Sequence, residues 1–212
     1  PGKAQKVKML DITRDQVTRR KHDGFLLFSK RNGYPELSKT LDEADFLISL
    51  ANVKTHILCT YSGACKNLFG CMSKPEKNIY HGNIHKVHDV NLIVKPDISI
   101  LDGFRGMQGN GPIHGDPVDL GFMVFSDNPV EADFVAAGMA GLNPMKIKYL
   151  RLLAKRNVPP DIKNIPDLNF KMSKPSAKIR LRFLLKGLCL SLGTNLYAGE
   201  SDFSFLIYYL NQ

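Results

Sequence analysis

Three nearly unbroken apolar runs constrain the fold of this chain more than any other feature. They cover residues 45–50, 98–101 and 120–125. A strand with one solvated face alternates apolar and polar residues, whereas a continuous apolar run is typical of a strand covered on both faces. A fourth, shorter candidate is residues 25–28. The runs predict an α/β layered domain with a mixed, mostly buried sheet and helices on both faces.

Helix signals fall between these runs, at residues 62–71, 83–94, 128–141 and 145–156. The third is the strongest, because Asn128 can cap the helix, Pro129 suits the first helical position and Glu131 completes a capping box. The segment 103–119 is too short for a usual crossover helix. We therefore expect the last two strands to be antiparallel neighbours.

Proline placement predicts the domain organisation. Four prolines fall between residues 157 and 176, which is typical of a linker or a wrapping loop. We expect an α/β domain over residues 1–156, followed by an appendage over 157–212 with a basic amphipathic helix at 177–192. The chain opens on Pro1 rather than Met, which suggests a processed or truncated piece with upstream residues missing.

The net charge of +9 is concentrated at the two ends of the chain. Residues 1–31 carry a net +6 and residues 171–212 a net +4, whereas residues 32–170 carry −1. A nucleic-acid-binding protein would concentrate charge where its motifs lie, so this class is kept only as an alternative, with the two ends as the binding module. No apolar run is long enough to span a membrane, and the location expected is cytoplasmic.

The four cysteines fit no metal-binding spacing. Cys59, Cys65 and Cys71 follow a C-x5-C-x5-C pattern and Cys189 stands far from them. We expect reduced, mostly buried thiols that bind no metal.

The first candidate site begins after the run at 45–50, where strand ends in α/β sheets present ligand-binding groups. Its candidate ligand-binding residues are Lys54, Thr55, Ser62, Gly63, Lys66 and Asn67. Small residues at a helix start leave its amide N–H groups accessible, and such a terminus attracts anions. This predicts an anion pocket for a small anionic ligand or cofactor.

The second candidate site is the glycine-rich segment 102–115, in which Gly109 and Gly111 could let the backbone approach a ligand closely. His56 and Asp102 are the candidate catalytic pair, because a histidine beside a carboxylate can transfer protons near neutral pH. His81 and Asp133 are candidate metal ligands, and the four residues together could instead hold a divalent metal. We expect His85 and His88 to be solvated.

The motifs in combination resemble a known family. Lys54-Thr55-His56, the block Ser62–Cys71, Gly109–Pro112 and the acids Asp127 and Asp133 occur in the order of the prokaryotic family catalogued as domain of unknown function 362. The resemblance covers about residues 40–155, and relatives usually carry an upstream α/β half.

The resemblance implies a redox or iron–sulfur association, because many relatives contain a fused or inserted ferredoxin-like module rich in cysteine. This chain has no iron–sulfur motif, so a cluster would lie on a partner protein. The resulting hypothesis is a ligand- or cofactor-binding domain of unknown cofactor, which could form part of an oxidoreductase. The alternatives are the basic nucleic-acid module and a docking subunit for an iron–sulfur partner.

Overall fold

The computed structural model describes residues 9–31, 33–72, 83–156 and 165–181. The strands of this part of the chain are β1 (Val17–Arg19), β2 (Glu36–Ser38), β3 (Ile48–His56), β4 (Thr60–Ser62), β5 (Ile98–Asn110) and β6 (His114–Ser126). Its α-helices are α1 (Lys39–Asp42), α2 (Ala64–Asn67), α3 (Ile84–Ile93), α4 (Pro129–Met139) and α5 (Lys148–Arg156). Short 3-10 turns cover Ile12–Arg14, Leu68–Cys71 and Pro144–Lys146.

The main sheet has the order β4-β3-β5-β6, and β1 pairs with β2 in a separate two-stranded sheet. β3 runs parallel to β5, while β4 is antiparallel to β3 and β6 is antiparallel to β5. The α/β class, the mixed sheet and the antiparallel pairing of the last two strands are confirmed.

The glycine-rich segment is part of the sheet. The strands predicted at 98–101 and 120–125 extend into the segment 103–119 that separates them in the sequence, so their predicted inner ends are wrong. β5 continues to Asn110 and β6 begins at His114, which leaves a turn of three residues between them. The glycines make room for close neighbours: a Cβ on Gly103 would lie 2.6 Å from the Phe122 ring. Glycine density therefore reflects tight packing within the hairpin rather than a loop.

The predicted helices are confirmed, with their ends shifted by a few residues. The Asn128 side chain accepts a 2.9 Å hydrogen bond from the Val130 amide and caps α4 as expected. Residues 25–28 form no strand, because the Asp89 carboxylate accepts the backbone N–H groups of Leu26, Leu27 and Phe28. These three N–H groups are therefore engaged by the carboxylate rather than by a neighbouring strand.

The described helices cover one face of the main sheet. Val53, Leu101 and Phe122 belong to this face, and they share the main hydrophobic core with the buried side of α4. Burial alternates along β3, so that Leu50 on the opposite face is 68% exposed. The sequence predicted helices on both faces of the sheet. Within the described residues, helices cover one of the two faces.

The described C-terminal segment, residues 165–181, packs on the part of the chain that precedes it. Met172 lies in the main core, and its amide donates to the Ala140 carbonyl at 3.0 Å. Residues 177–181 are helical, and the rest of the helix predicted at 177–192 lies outside the described residues. No helix in the described ranges is long and apolar enough to cross a bilayer.

Candidate functional site

Lys54 and Asp102 lie on the face of the sheet opposite the described helices. Asn52 pairs with Asp102 across β3 and β5, and Lys54 follows two positions later, so its side chain points to the same face. The Asp102 carboxylate is exposed and accepts the Phe104 amide at 2.9 Å. Asp102 is exposed and Lys54 is half-buried, and both lie beside an apolar surface.

His56 is not brought to Asp102. It lies four positions beyond the strand partner of Asp102, which corresponds to about 13 Å along a strand. The His56 ring is buried, and its Nδ1 accepts the amides of Leu58 and Cys59 at 3.1 and 3.3 Å. His56 and Asp102 therefore have different hydrogen-bond partners. Their joint role in proton transfer stays a prediction.

Asp133 occupies the start of α2, where the sequence predicted an external anion. Its carboxylate, which is fully buried, accepts the amides of Ala64 at 2.6 Å and Cys65 at 3.0 Å. The hydroxyls of Tyr61 and Tyr149 approach it at 3.4 Å each. A buried carboxylate needs such donors to offset its lost hydration. The predicted anion pocket at this helix N-terminus is thus filled by the chain's own side chain.

Burial raises the pKa of Asp133 to about 7, although the amides of Cys65 and Ala64 act in the opposite direction. Gly63, immediately before α2, allows the carboxylate its close approach. A Cβ on Gly63 would lie 2.1 Å from the Asp133 Oδ1 atom. The small residues at this helix start therefore make room for Asp133.

Three other predicted ligand-binding residues hold the ends of strands together. The Thr55 hydroxyl donates to the Gly109 carbonyl at 2.8 Å, and the Gly109 amide donates to the Ser173 carbonyl at 2.9 Å. The Gly111 carbonyl accepts the Ile57 amide at 2.9 Å, and a Cβ on Gly111 would meet the Thr55 carbonyl oxygen at 2.2 Å. These close contacts account for the small residues at these positions, and no ligand is needed to explain them.

Two further candidates at the helix start, Ser62 and Asn67, differ in exposure and in hydrogen-bond partners. Ser62 is 6% exposed. The Asn67 amide donates to the Ser49 hydroxyl at 3.0 Å and to the Leu50 carbonyl at 2.9 Å. Asn67 thus ties the end of α2 to β3.

Two lysines from separate elements lie over the Phe69 ring, and the charges of Lys66 and Arg180 influence the Cys59 thiol. Lys86 Nζ lies 4.6 Å from the Phe69 ring centroid and Lys66 Nζ lies 5.8 Å from it. Burial raises the pKa of Cys59, and the charges of Lys66 and Arg180 partly oppose that increase. Lys86 is fully buried, whereas Lys66 is half-buried. The result is a cationic cluster beside a partly apolar wall.

Of the residues predicted to form the pocket, only His56 and Lys66 lie at this cluster. His56 accepts the Cys59 amide, and the charge of Lys66 lowers the pKa of the Cys59 thiol. Sequence reasoning missed Lys86, Phe69 and Arg180. No local signal marks them as a group, because they are separated by up to 111 positions. The single pocket expected from the sequence is divided between the two faces of the sheet and the core.

His88 is buried, so the expectation that it is solvated is wrong; His85 is exposed as expected. His88 Nδ1 lies 2.8 Å from the Asp89 carboxylate. Burial alone would raise the pKa of Asp89, but the hydrogen bonds from His88 and three backbone amides hold it below its ordinary value. The pair anchors the chain at residues 26–28 against α3.

The described residues form no site that fits the metal-binding hypothesis. Among the described residues, no group of three His, Cys, Asp or Glu side chains could hold a metal ion. Cys59 and Cys65 are buried reduced thiols, and Cys71 is a half-buried reduced thiol. His81 and Cys189 lie outside the described residues.

Comparison with known proteins finds a relative that is longer than this chain. The chain is 33% identical over 149 residues to the thylakoid-associated protein sll1697 of Synechocystis. The aligned part covers 66% of this chain and 45% of the relative, so the chain spans less than half of that protein's length. No solved structure matches significantly.

A family match covers residues 3–138. It begins well before residue 40, where the resemblance of the motifs begins, and it ends before residue 155. The match takes in the two-stranded sheet, the main sheet and nearly all of α4. The chain therefore belongs to the family described as domain of unknown function (DUF362).

Proposed function

We propose that this chain binds a small anionic ligand, a phosphate or a carboxylate, at the cationic cluster formed by Lys66, Lys86 and Arg180. The observation that carries the proposal is the position of Lys66 and Lys86, which come from separate elements, over the same Phe69 ring. The charges of Lys66 and Arg180 both lower the pKa of the Cys59 thiol, which supports a shared cationic environment. We therefore keep the prediction of anion binding, but we place the binding site at the side chains beside α2 rather than at the start of α2.

Lys86 contributes most to the argument, because a fully buried ammonium group is rare in a protein interior and loses its hydration there. The face of an aromatic ring such as Phe69 stabilises a cation by about 0.5–2 kcal/mol. An anion held between the ammonium groups would add to the interactions that Lys86 already makes. Local cationic charge also raises the local concentration of an anionic ligand.

Arg180 and Lys66 extend the cluster toward solvent, since both are half-buried. A guanidinium group binds phosphate or carboxylate oxygens through two parallel hydrogen bonds, and an ammonium group acts as a point charge. Together they would fix an anion in orientation as well as in place. The site would need no metal for this.

The test is calorimetric titration with inorganic phosphate and pyrophosphate at low ionic strength. Replacing Lys66 with Ala should weaken binding about ten- to hundredfold, because a hydrogen bond to a charged group contributes roughly 1.5–3 kcal/mol. Lys54→Ala is the matched control: it removes an equal charge from the other face of the sheet and should leave binding unchanged. Absence of binding, or equal effects of the two substitutions, would contradict the proposal.

The redox association implied by the family resemblance is a further proposal about partners. The association of the relative with thylakoids supports a search among partners found at membranes, including iron–sulfur proteins. Fractionation of cells followed by cross-linking would test both this association and the predicted cytoplasmic location. Recovery of the chain with no redox protein in any fraction would argue against it.

A further inference from the structure

The solvent face of α5 carries cations and no carboxylate of its own. No Asp or Glu occurs anywhere between residues 134 and 156. Among the described residues, no carboxylate forms an ion pair with any of the five basic side chains of this segment. All five are exposed, and they are Lys146, Lys148, Arg151, Lys155 and Arg156. We call the surface formed by these five side chains the basic face.

Helical periodicity gathers the charges of α5 on one side of the helix. Its exposed side chains lie within an arc of about 140°, because successive residues are rotated by about 100°. Arg151 follows Lys148 by three positions and precedes Lys155 by four, so both pairs are neighbours on the helix surface. Like charges at these spacings repel each other and destabilise a helix. An anionic surface placed against the basic face would relieve this repulsion.

The opposite side of α5 is fixed in the main hydrophobic core. Its four buried side chains are Tyr149, Leu150, Leu153 and Ala154. The helix therefore cannot turn its apolar side outward without losing this packing. Two further apolar side chains lie among the cations: Leu152 is half-buried within the arc, and Met145, just before Lys146, is 45% exposed.

We propose that the basic face binds the surface of an anionic lipid membrane. The cations contact the lipid phosphates, while Met145 and the exposed part of Leu152 reach the boundary between headgroups and acyl chains. Each basic residue close to such a surface strengthens association about fivefold. This inference goes beyond the proposed function, because it concerns another surface and another ligand than the cluster at Lys66.

The composition of the basic face favours a lipid surface over a nucleic acid. Proteins contact nucleic acids through cations together with Ser, Thr, Asn, Gln or Tyr side chains, and no exposed residue of α5 is of these types. A phosphate backbone would leave Met145 and Leu152 in water, whereas the headgroup boundary buries them. Because the cations of α5 share one arc, they can meet a flat surface together.

The positive charge is weakest at the C-terminal end of the basic face. Arg156 donates to the Gly24 carbonyl at 3.4 Å, and the exposed Asp23 precedes Gly24. Arg151 and Lys155 lie toward the other edge of the arc, so these two side chains are the ones to replace.

The first test is sedimentation of the full chain with vesicles of phosphatidylcholine alone, or of phosphatidylcholine and phosphatidylglycerol in equal parts. The chain should bind the mixed vesicles only, and added salt should weaken binding because it screens exposed charges. Arg151→Gln combined with Lys155→Gln should weaken binding about twenty- to thirtyfold, since two basic residues are lost. Circular dichroism would establish that the variant is folded.

The matched control is Lys54→Gln combined with Arg105→Gln, which removes the same charge from β3 and β5 and should leave vesicle binding nearly unchanged. Lys66→Ala should also retain vesicle binding, so this proposal and the proposed function can fail independently. A wild-type chain that does not bind the mixed vesicles, or equal effects of the two double variants, would overturn the proposal.

The second test uses the absence of tryptophan from the sequence. Met145→Trp places a single indole beside the cations, and its emission should shift to shorter wavelength with the mixed vesicles, because the ring enters the headgroup layer. Ile113→Trp is the control, since Ile113 is 49% exposed in the turn between β5 and β6 and its emission should not shift. An unshifted Met145→Trp, or a shift in both variants, would show that another side meets the lipid. Tighter binding to an RNA or DNA duplex than to the mixed vesicles would identify a nucleic-acid surface instead.

Discussion

At the scale of single residues, Asp133 shows how burial defines a role that sequence position does not reveal. The carboxylate lies on α4 and binds the first amides of α2, which are 69 and 68 positions earlier. Its oxygens satisfy donors that would otherwise be buried without partners at the helix start. Asp133 is therefore a structural cap, and its unusual pKa is a consequence of its burial.

The raised pKa of Asp133 predicts that stability falls as pH rises. The folded protein holds this proton up to about pH 7, whereas the unfolded chain releases it near its ordinary value of 3.8. Between these values the folded state binds more protons, so the free energy of unfolding decreases with pH by at most about 1.4 kcal/mol per unit. Urea unfolding at pH 5 and pH 8 should show this loss.

Asp133→Asn provides the control for that measurement. The amide cannot ionise, so the variant should be less stable at pH 5 but should vary much less between pH 5 and pH 8. Other titrating groups contribute equally to both proteins. An identical pH dependence in the two proteins would show that Asp133 is not responsible.

At the scale of elements, the packing of α2 against α4 and the sheet depends on the absence of a side chain at Gly63. A Cβ there would lie 2.1 Å from the Asp133 carboxylate and 2.8 Å from Leu101 Cδ2. Because α4 and the sheet fix both neighbours, Gly63→Ala should destabilise the fold by about 1–3 kcal/mol, the usual scale of overpacking.

Gly70→Ala is the matched control, because a Cβ at Gly70 would meet no atom within 4 Å. Its unfolding free energy should change by less than about 0.5 kcal/mol. Chemical denaturation of the two variants side by side is the measurement. Equal effects would mean that intrinsic helix propensity, rather than the contact with Asp133, governs this position.

Elements with local signals could be predicted from the sequence, and those that depend on distant contacts could not. The cap and proline of α4 lie within four consecutive residues, so its start was evident at Asn128. The antiparallel pairing of β5 and β6 was predicted, but the extension of both strands through the glycine-rich segment was missed, because glycines that admit a ring such as Phe122 look the same in sequence as glycines in a loop. The cationic cluster at Lys66 and Lys86 was missed because folding alone brings these residues together.

At the scale of the whole molecule, residues 172–176 connect the core to the far end of the hairpin. Met172 is buried beside α4, and its amide binds Ala140. The neighbouring Ser173 amide donates to the Gln108 side chain, and the Ser176 amide donates to the Asn110 side chain. The contacts of Ser173 and Ser176 join parts of the chain more than 60 positions apart.

This connection predicts that Met172 stabilises the whole molecule rather than its own segment. Met172→Ala should lower the free energy of unfolding by about 2–5 kcal/mol, because it removes buried methylene groups and leaves a cavity. Met145→Ala is the control, since Met145 is 45% exposed and should change stability by less than about 0.5 kcal/mol. Hydrogen exchange provides the discriminating readout. If the molecule unfolds as one unit, the Gly109 amide, which binds Ser173, should exchange at the global unfolding rate and accelerate in Met172→Ala. Acceleration confined to residues 170–176 would show instead that this segment opens on its own.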